Sequence, residues 1–144
     1  YPYSYHLGMV AHFADRYIDL IPKEDRNDVM AGCWVHDLIE DARQTYNDVK
    51  NNTNETIAEY AYALANEKGK DRKGRANEKY YREMVAYKHA VFIKLCDRYA
   101  NAKYSFETGS SMFKKYQKEM SEFRAQLYDG RYQKLWDDLE KFLE

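Results

Sequence analysis

Apolar residues return along this chain at spacings of three and four, the period of one helix face. Leu7, Val10, Ala11, Ala14, Ile18 and Ile21 predict a first amphipathic helix, which Pro22 ends or redirects because its ring and missing N–H oppose continuation. Val29, Met30, Cys33, Val35, Leu38 and Ile39 predict a second helix over roughly residues 25 to 43, with an apolar stripe wide enough for burial on most sides. Asn51-Asn52-Thr53-Asn54 reads as a loop in which Thr53 or Asn54 can cap the next helix, carried by Ile57, Ala58, Ala61, Leu64 and Ala65.

Residues 66 to 78 carry no large apolar side chain and read as a polar loop leading into a helix with Tyr80, Tyr81, Met84 and Val85. A strongly apolar helix follows, with Ala90, Val91, Ile93, Leu95 and Ala100. Gly109-Ser110-Ser111 interrupts the pattern before Met112, Phe113, Tyr116, Met120, Phe123 and Leu127, and Gly130 interrupts it again before Leu135, Trp136, Leu139, Phe142 and Leu143. Only 6 glycines and 2 prolines punctuate the chain, so long helices are expected and a sheet is not. The pattern predicts a single all-α domain over residues 1–144, a bundle of about six to eight helices.

Composition narrows the class. At 44% hydrophobic and 33% charged, 144 residues can fold around one core. No apolar run approaches the roughly 20 residues of a membrane helix, so no membrane partner is expected. A net charge of −1 argues against a dedicated nucleic-acid binder. Cys33 and Cys96 sit in apolar helical patterns, which suits buried free thiols and a cytoplasmic location. Oligomeric state is left open.

One segment breaks the apolar logic. His36-Asp37-Leu38-Ile39-Glu40-Asp41 sets an imidazole and three carboxylates among core residues. Burying such charges costs several kcal/mol unless something pairs with them, and a cation would do so. Residues three or four apart share a helix face, so Asp37, Glu40 and Asp41 project together. His36 and Asp37 supply a nitrogen and an oxygen donor, half a shell for a first-row divalent ion. Asp97, an acid inside an apolar helix, and His6, at the start of the first stripe, can complete it. Open positions would then remain for water, which Glu40 and Asp41 could orient or deprotonate.

Each residue also has an ordinary explanation. Asp97 could be a buried acid paired with Arg98 or Lys94, and Asn101 a solvent-facing polar residue. His12 and His89 read as core or surface histidines. Lys68, Lys70, Arg72, Lys73 and Arg75 against Asp71 give a local +4, either a solvated linker or a phosphate-binding stretch. Most of the 15 tyrosines read as core-edge residues, but Tyr3, Tyr5, Tyr99 and Tyr104 lie near the expected ligands and could stack on a base.

The motifs resemble those of the HD superfamily of metal-dependent phosphohydrolases, and most closely the alarmone hydrolases, namely the hydrolase domain of the Rel/SpoT proteins and their small stand-alone relatives. Pro2-Tyr3-Ser4-Tyr5-His6-Leu7-Gly8-Met9-Val10-Ala11 is similar to the family's PYxxHxxxVA segment. His36 to Asp41 matches HDxxED, and Lys94 to Asn101 matches KLADRxxN, with cysteine at the third position. The resemblance covers roughly residues 1 to 105. It implies an HD-type helical bundle with one Mn2+ held by His6, His36, Asp37 and Asp97. It further implies Glu40 and Asp41 activating water and Asn101 contacting a nucleotide. The implied reaction removes pyrophosphate from the 3′ position of (p)ppGpp by attack of metal-bound water. The family's basic lead-in would lie ahead of Pro2-Tyr3, and the stretch after residue 65 differs from the family's usual one. Two other functions stand beside this: an HD phosphohydrolase for another nucleotide, such as a deoxynucleoside monophosphate or nucleotide second messenger, and a non-catalytic nucleotide-binding protein.

Overall fold

A computed structural model describes residues 3–36, 45–65 and 78–144. Among these residues there are eight α-helices and no strand, the all-α bundle that the periodicity predicts. They are α1 (Tyr3–Arg16), α2 (Arg26–Val35), α3 (Tyr46–Asn52), α4 (Glu55–Leu64), α5 (Glu78–Ala86), α6 (Ala90–Thr108), α7 (Met112–Leu127) and α8 (Gln133–Phe142). No helix among the described residues is long and apolar enough to cross a membrane.

Helix α6 is the axis of the bundle. Val91, Phe92, Ile93, Leu95 and Cys96 are all fully buried, so along its first two turns and a half this helix meets solvent only at the partly exposed Lys94. Helices α1, α2, α4, α5, α7 and α8 pack around it, and α1 and α2 also pack on each other. At Gly32 of α2, an added Cβ would stand 2.8 Å from Ile93 Cδ1 and 3.3 Å from the Tyr60 ring. A residue without a side chain thus lets α2 approach α4 and α6 closely. Cys33 and Cys96 are buried free thiols, as their apolar setting predicts.

Helix ends follow local chemistry. Asn54 Oδ1 accepts from Ile57 N–H at 2.9 Å and so caps α4, as expected from its position. Gly109 (φ 67°) closes α6: its N–H bonds Phe106 O at 3.3 Å and that of Ser110 bonds Ser105 O at 2.9 Å, the pair of bonds of a Schellman ending.

Two boundaries differ from expectation. The first helix stops at Arg16 rather than running to Ile21, and a 3-10 turn over Ile18–Leu20 takes its place. Pro22 forces Ile21 to be extended (φ −107°, ψ 133°), so the helix must end earlier, while the turn still delivers Ile21 to the core. Asn51 and Asn52 belong to α3 rather than to a loop. Thr45 starts that helix through a capping box, its Oγ1 accepting from Asp48 N–H at 3.1 Å while Asp48 Oδ2 accepts from Thr45 N–H at 2.9 Å. The second helix is seen over Arg26–Val35, and the remainder of its expected span, like the expected polar loop, lies outside the described residues.

Two polar joints tie neighbouring elements of the bundle together. Tyr17 donates to Asp138 Oδ2 at 2.5 Å, joining the end of α1 to α8. His89, just before α6, bridges Asp25 Oδ2 at 2.9 Å and the Tyr132 hydroxyl at 2.7 Å. Arg131 Nη1 reaches Lys88 O at 2.6 Å across the same joint, beside the two left-handed non-glycine residues Lys88 (φ 34°) and Tyr132 (φ 61°).

Candidate metal centre

Three ligand-type side chains from distant parts of the chain meet where α1, α2 and α6 pack together. His6 lies on the first turns of α1, His36 follows the last residue of α2, and Asp97 lies in the middle of α6. All three are buried, at 8%, 3% and 9% exposure, so their convergence is built into the core rather than being a chance surface cluster. His6 Nε2 is 2.7 Å from Asp97 Oδ1, and His36 Nε2 is 3.2 Å from the same oxygen. One potential ligand atom from each lies within 4.8 Å of the other two.

The hydrogen bonds around His36 define which nitrogen is available. Its Nδ1 lies 2.8 Å from the Cys33 carbonyl oxygen, an acceptor only, so Nδ1 carries the proton. In the neutral ring Nε2 then presents a lone pair toward Asp97 Oδ1, another acceptor. Two lone pairs facing across 3.2 Å require a cation between them or a second proton on the imidazole. The carbonyl contact is also the kind that fixes a ligating histidine's orientation.

Asp97 is prepared to be an anion. Burial alone would push its carboxyl up, yet Lys94 and the bonds to His36 and His6 together hold it well below the usual carboxylate range. Lys94 Nζ donates to Asp97 Oδ2 at 3.5 Å, so the two carboxylate oxygens have separate partners. The adjacent thiols are poor competitors for a metal. Burial and the Asp97 charge push Cys33 up to about 12, and burial, Cys33 and Asp97 raise Cys96 well above its ordinary value.

The structure therefore brings His6, His36 and Asp97 together, the three widely separated ligands of the expected four. Asp37, Glu40 and Asp41, and the basic residues Lys70, Arg72, Lys73 and Arg75, lie outside the described residues. Asn101 sits one turn beyond Asp97 on α6 and is partly buried rather than solvent-facing. Of the two partners considered for Asp97, Lys94 takes the role. Arg98 turns away, bonding Glu119 Oε1 at 3.2 Å and lying 4.2 Å from the Phe123 ring centroid. His12 is exposed and His89 belongs to the joint with Asp25 and Tyr132, as ordinary histidines would.

The tyrosines divide. Tyr99 stacks on Phe13 at 4.3 Å and is buried, so it is a core residue. Tyr5, beside His6, is 48% exposed and meets Tyr104 edge-on at 6.3 Å. Asp97, Asn101 and Tyr104 follow one another at helical spacing along one face of α6, so this aromatic pair lies on the same seam as the ligands. The Cys33 carbonyl is a feature that residue types could not reveal, because any residue at that position offers the same group. No family model and no curated protein matches the chain.

Proposed function

We propose that this chain is a divalent-metal phosphohydrolase of the HD type that removes pyrophosphate from the 3′ position of guanosine alarmones such as ppGpp. The observation that carries the reading is the convergence of His6 and His36 Nε2 on a single oxygen of buried Asp97. Two nitrogens and one carboxylate oxygen suit Mn2+ or another first-row ion, and three ligands in a row of HD type leave positions for further donors and water. When bound, such an ion supplies Lewis-acid chemistry, lowering the pKa of water toward neutrality and drawing charge from a phosphoryl oxygen.

The chain's own residues have distinct tasks in this reading. His6, His36, Asp37 and Asp97 hold the ion. Glu40 and Asp41 orient the attacking water and accept its proton. Asn101 and the Tyr5–Tyr104 pair lie along one seam with the ligands and suit a nucleotide's polar edge and base face. Lys70, Arg72, Lys73 and Arg75 offset phosphate charge. The KLxDRxxN pattern over Lys94 to Asn101 favours an alarmone over other nucleotides.

The test offers Mn2+-loaded protein ppGpp, deoxynucleoside monophosphates and cyclic dinucleotides in parallel, and follows the phosphate species released. Pyrophosphate from ppGpp alone is the expected result. Inorganic phosphate from deoxynucleotides would move the chain to another substrate, and binding of nucleotide without turnover would remove it from the enzymes. Glu40→Ala is expected to retain the metal and lose rate, and a fully active variant contradicts the role given to Glu40.

A further inference from the structure

We propose that Lys94 keeps Asp97 a one-oxygen ligand and thereby makes the centre select small first-row cations against Ca2+. The inference rests on the metal-binding reading above and adds a positioning residue to it. Asp97 Oδ1 faces both histidine nitrogens, at 2.7 and 3.2 Å, whereas Oδ2 faces the Lys94 ammonium at 3.5 Å. The two carboxylate oxygens are thus divided between an ion-facing side and a lysine-facing side.

The division is held from several directions. Lys94 and Asp97 are three residues apart on α6, so the helix itself sets their separation. Their side chains are only 17% and 13% exposed, which leaves little room for either to swing into solvent. The Lys94 ammonium also lies 6.0 Å from the centroid of the Tyr80 ring on α5, within reach of a cation–π attraction. The carboxylate therefore presents Oδ1 to the histidines and Oδ2 to the lysine, so an ion engaging both oxygens would have to sit closer to the Lys94 ammonium than one held by Oδ1 alone.

Cation chemistry makes that geometry selective. Ca2+ takes about six to eight oxygen ligands and commonly uses both oxygens of a carboxylate. First-row ions are satisfied by fewer donors, accept imidazole nitrogen readily and bind a carboxylate through one oxygen. An ion seated between both Asp97 oxygens would also be drawn toward the Lys94 ammonium, and two cations repel strongly at such range. With Lys94 in place, the centre disfavours the ion that needs both oxygens.

The test compares Mn2+ and Ca2+ dissociation constants, by calorimetric titration of the full chain, for the parent protein and for Lys94→Met and Lys94→Arg. Met keeps the length of the stem without the charge; Arg restores a cation. The parent is expected to prefer Mn2+ by about a hundredfold or more, Lys94→Met to narrow that ratio by at least about tenfold, and Lys94→Arg to restore most of it. A ratio unchanged in Lys94→Met while both ions bind overturns the proposal. Should Lys94→Met fail to fold, a Lys94→Gln protein that keeps the parent ratio overturns it equally. If the parent itself binds neither ion, the metal-binding reading fails, which is a different result from a metal site whose selectivity ignores Lys94.

Discussion

Among the described residues, Asp97 meets two imidazole nitrogens on one oxygen and a lysine on the other, and its charge reaches the buried Cys33 and Cys96 thiols. Its neighbour Arg98 shows how different a buried charge looks when its role is structural. That guanidinium is 6% exposed, lies over the rings of Phe123 and Tyr116 at 4.2 and 4.9 Å, and bonds Glu119. Replacing Arg98 with Ala leaves Glu119 without this partner and opens a hole between two aromatic rings. A loss of about 3 kcal/mol in urea unfolding is expected, with metal affinity retained in the folded fraction. The thiols give a second residue-level prediction. With Cys33 pushed up to about 12 and Cys96 raised well above its ordinary value, both stay protonated and out of reach in the native protein. A thiol reagent at about pH 8 is expected to label neither until denaturant is added, and rapid labelling of the native protein would contradict their burial.

At the scale of elements, His6, His36 and Asp97 are brought together by the packing of helices. His6 and Asp97 come from helices that bury each other's apolar faces, and His36 is delivered by the end of α2, which Gly32 allows to lie close against α6. The last helix is held partly by the Tyr17–Asp138 bond, and that bond gives a pH dependence with a definite sign. The Tyr17 hydroxyl, then Lys134, lowers the Asp138 carboxyl below its ordinary 3.8, against the opposing effect of burial. A depressed folded-state value contributes stability that is present above the unfolded value and lost as pH falls through the folded one. Tyr17→Phe is therefore expected to cost about 1.5 kcal/mol at neutral pH, with the difference from the parent shrinking below pH 3.8. A constant difference down to pH 2 would show that the Tyr17 hydroxyl does not favour the charged form of Asp138. Helix identity was legible in the sequence because the 3.6-residue period survives burial. Helix ends were less so. The Ile18–Leu20 turn keeps the apolar spacing of a helix while Pro22 imposes another backbone, so the stripe alone could not distinguish them. The start of α3 did carry a local signal, Thr45 followed three residues later by Asp48, but only two of its positions, Tyr46 and Val49, are apolar and the period is too short to stand out.

Across the whole molecule, His6, His36 and Asp97 join three segments separated by up to 91 residues, so an ion held between them would couple occupancy to folding. That separation is also why the site was only partly readable from sequence. His36 announced itself by standing next to Asp37 in an apolar run, and Asp97 by being an acid in an apolar helix, whereas the shared oxygen, the Cys33 carbonyl and the division between Lys94 and Arg98 depend on three-dimensional packing. An ion that binds only the folded chain stabilises it by about 2.7 kcal/mol at a hundredfold excess over its dissociation constant. For a domain of this size, at roughly 3–5 °C per kcal/mol, that corresponds to a rise of about 10 °C in Tm, which thermal unfolding with and without Mn2+ would register. A Tm indifferent to Mn2+ would mean that no ion bridges the three helices. The most direct measurement is a calorimetric titration of Mn2+ into the parent protein and into Asp97→Asn, a change that keeps the side chain's shape and removes its charge. One ion per chain in the parent, and affinity at least about a hundredfold weaker in the variant, is the predicted result. Equal binding by the two proteins, or none by the parent, would contradict a centre built on His6, His36 and Asp97.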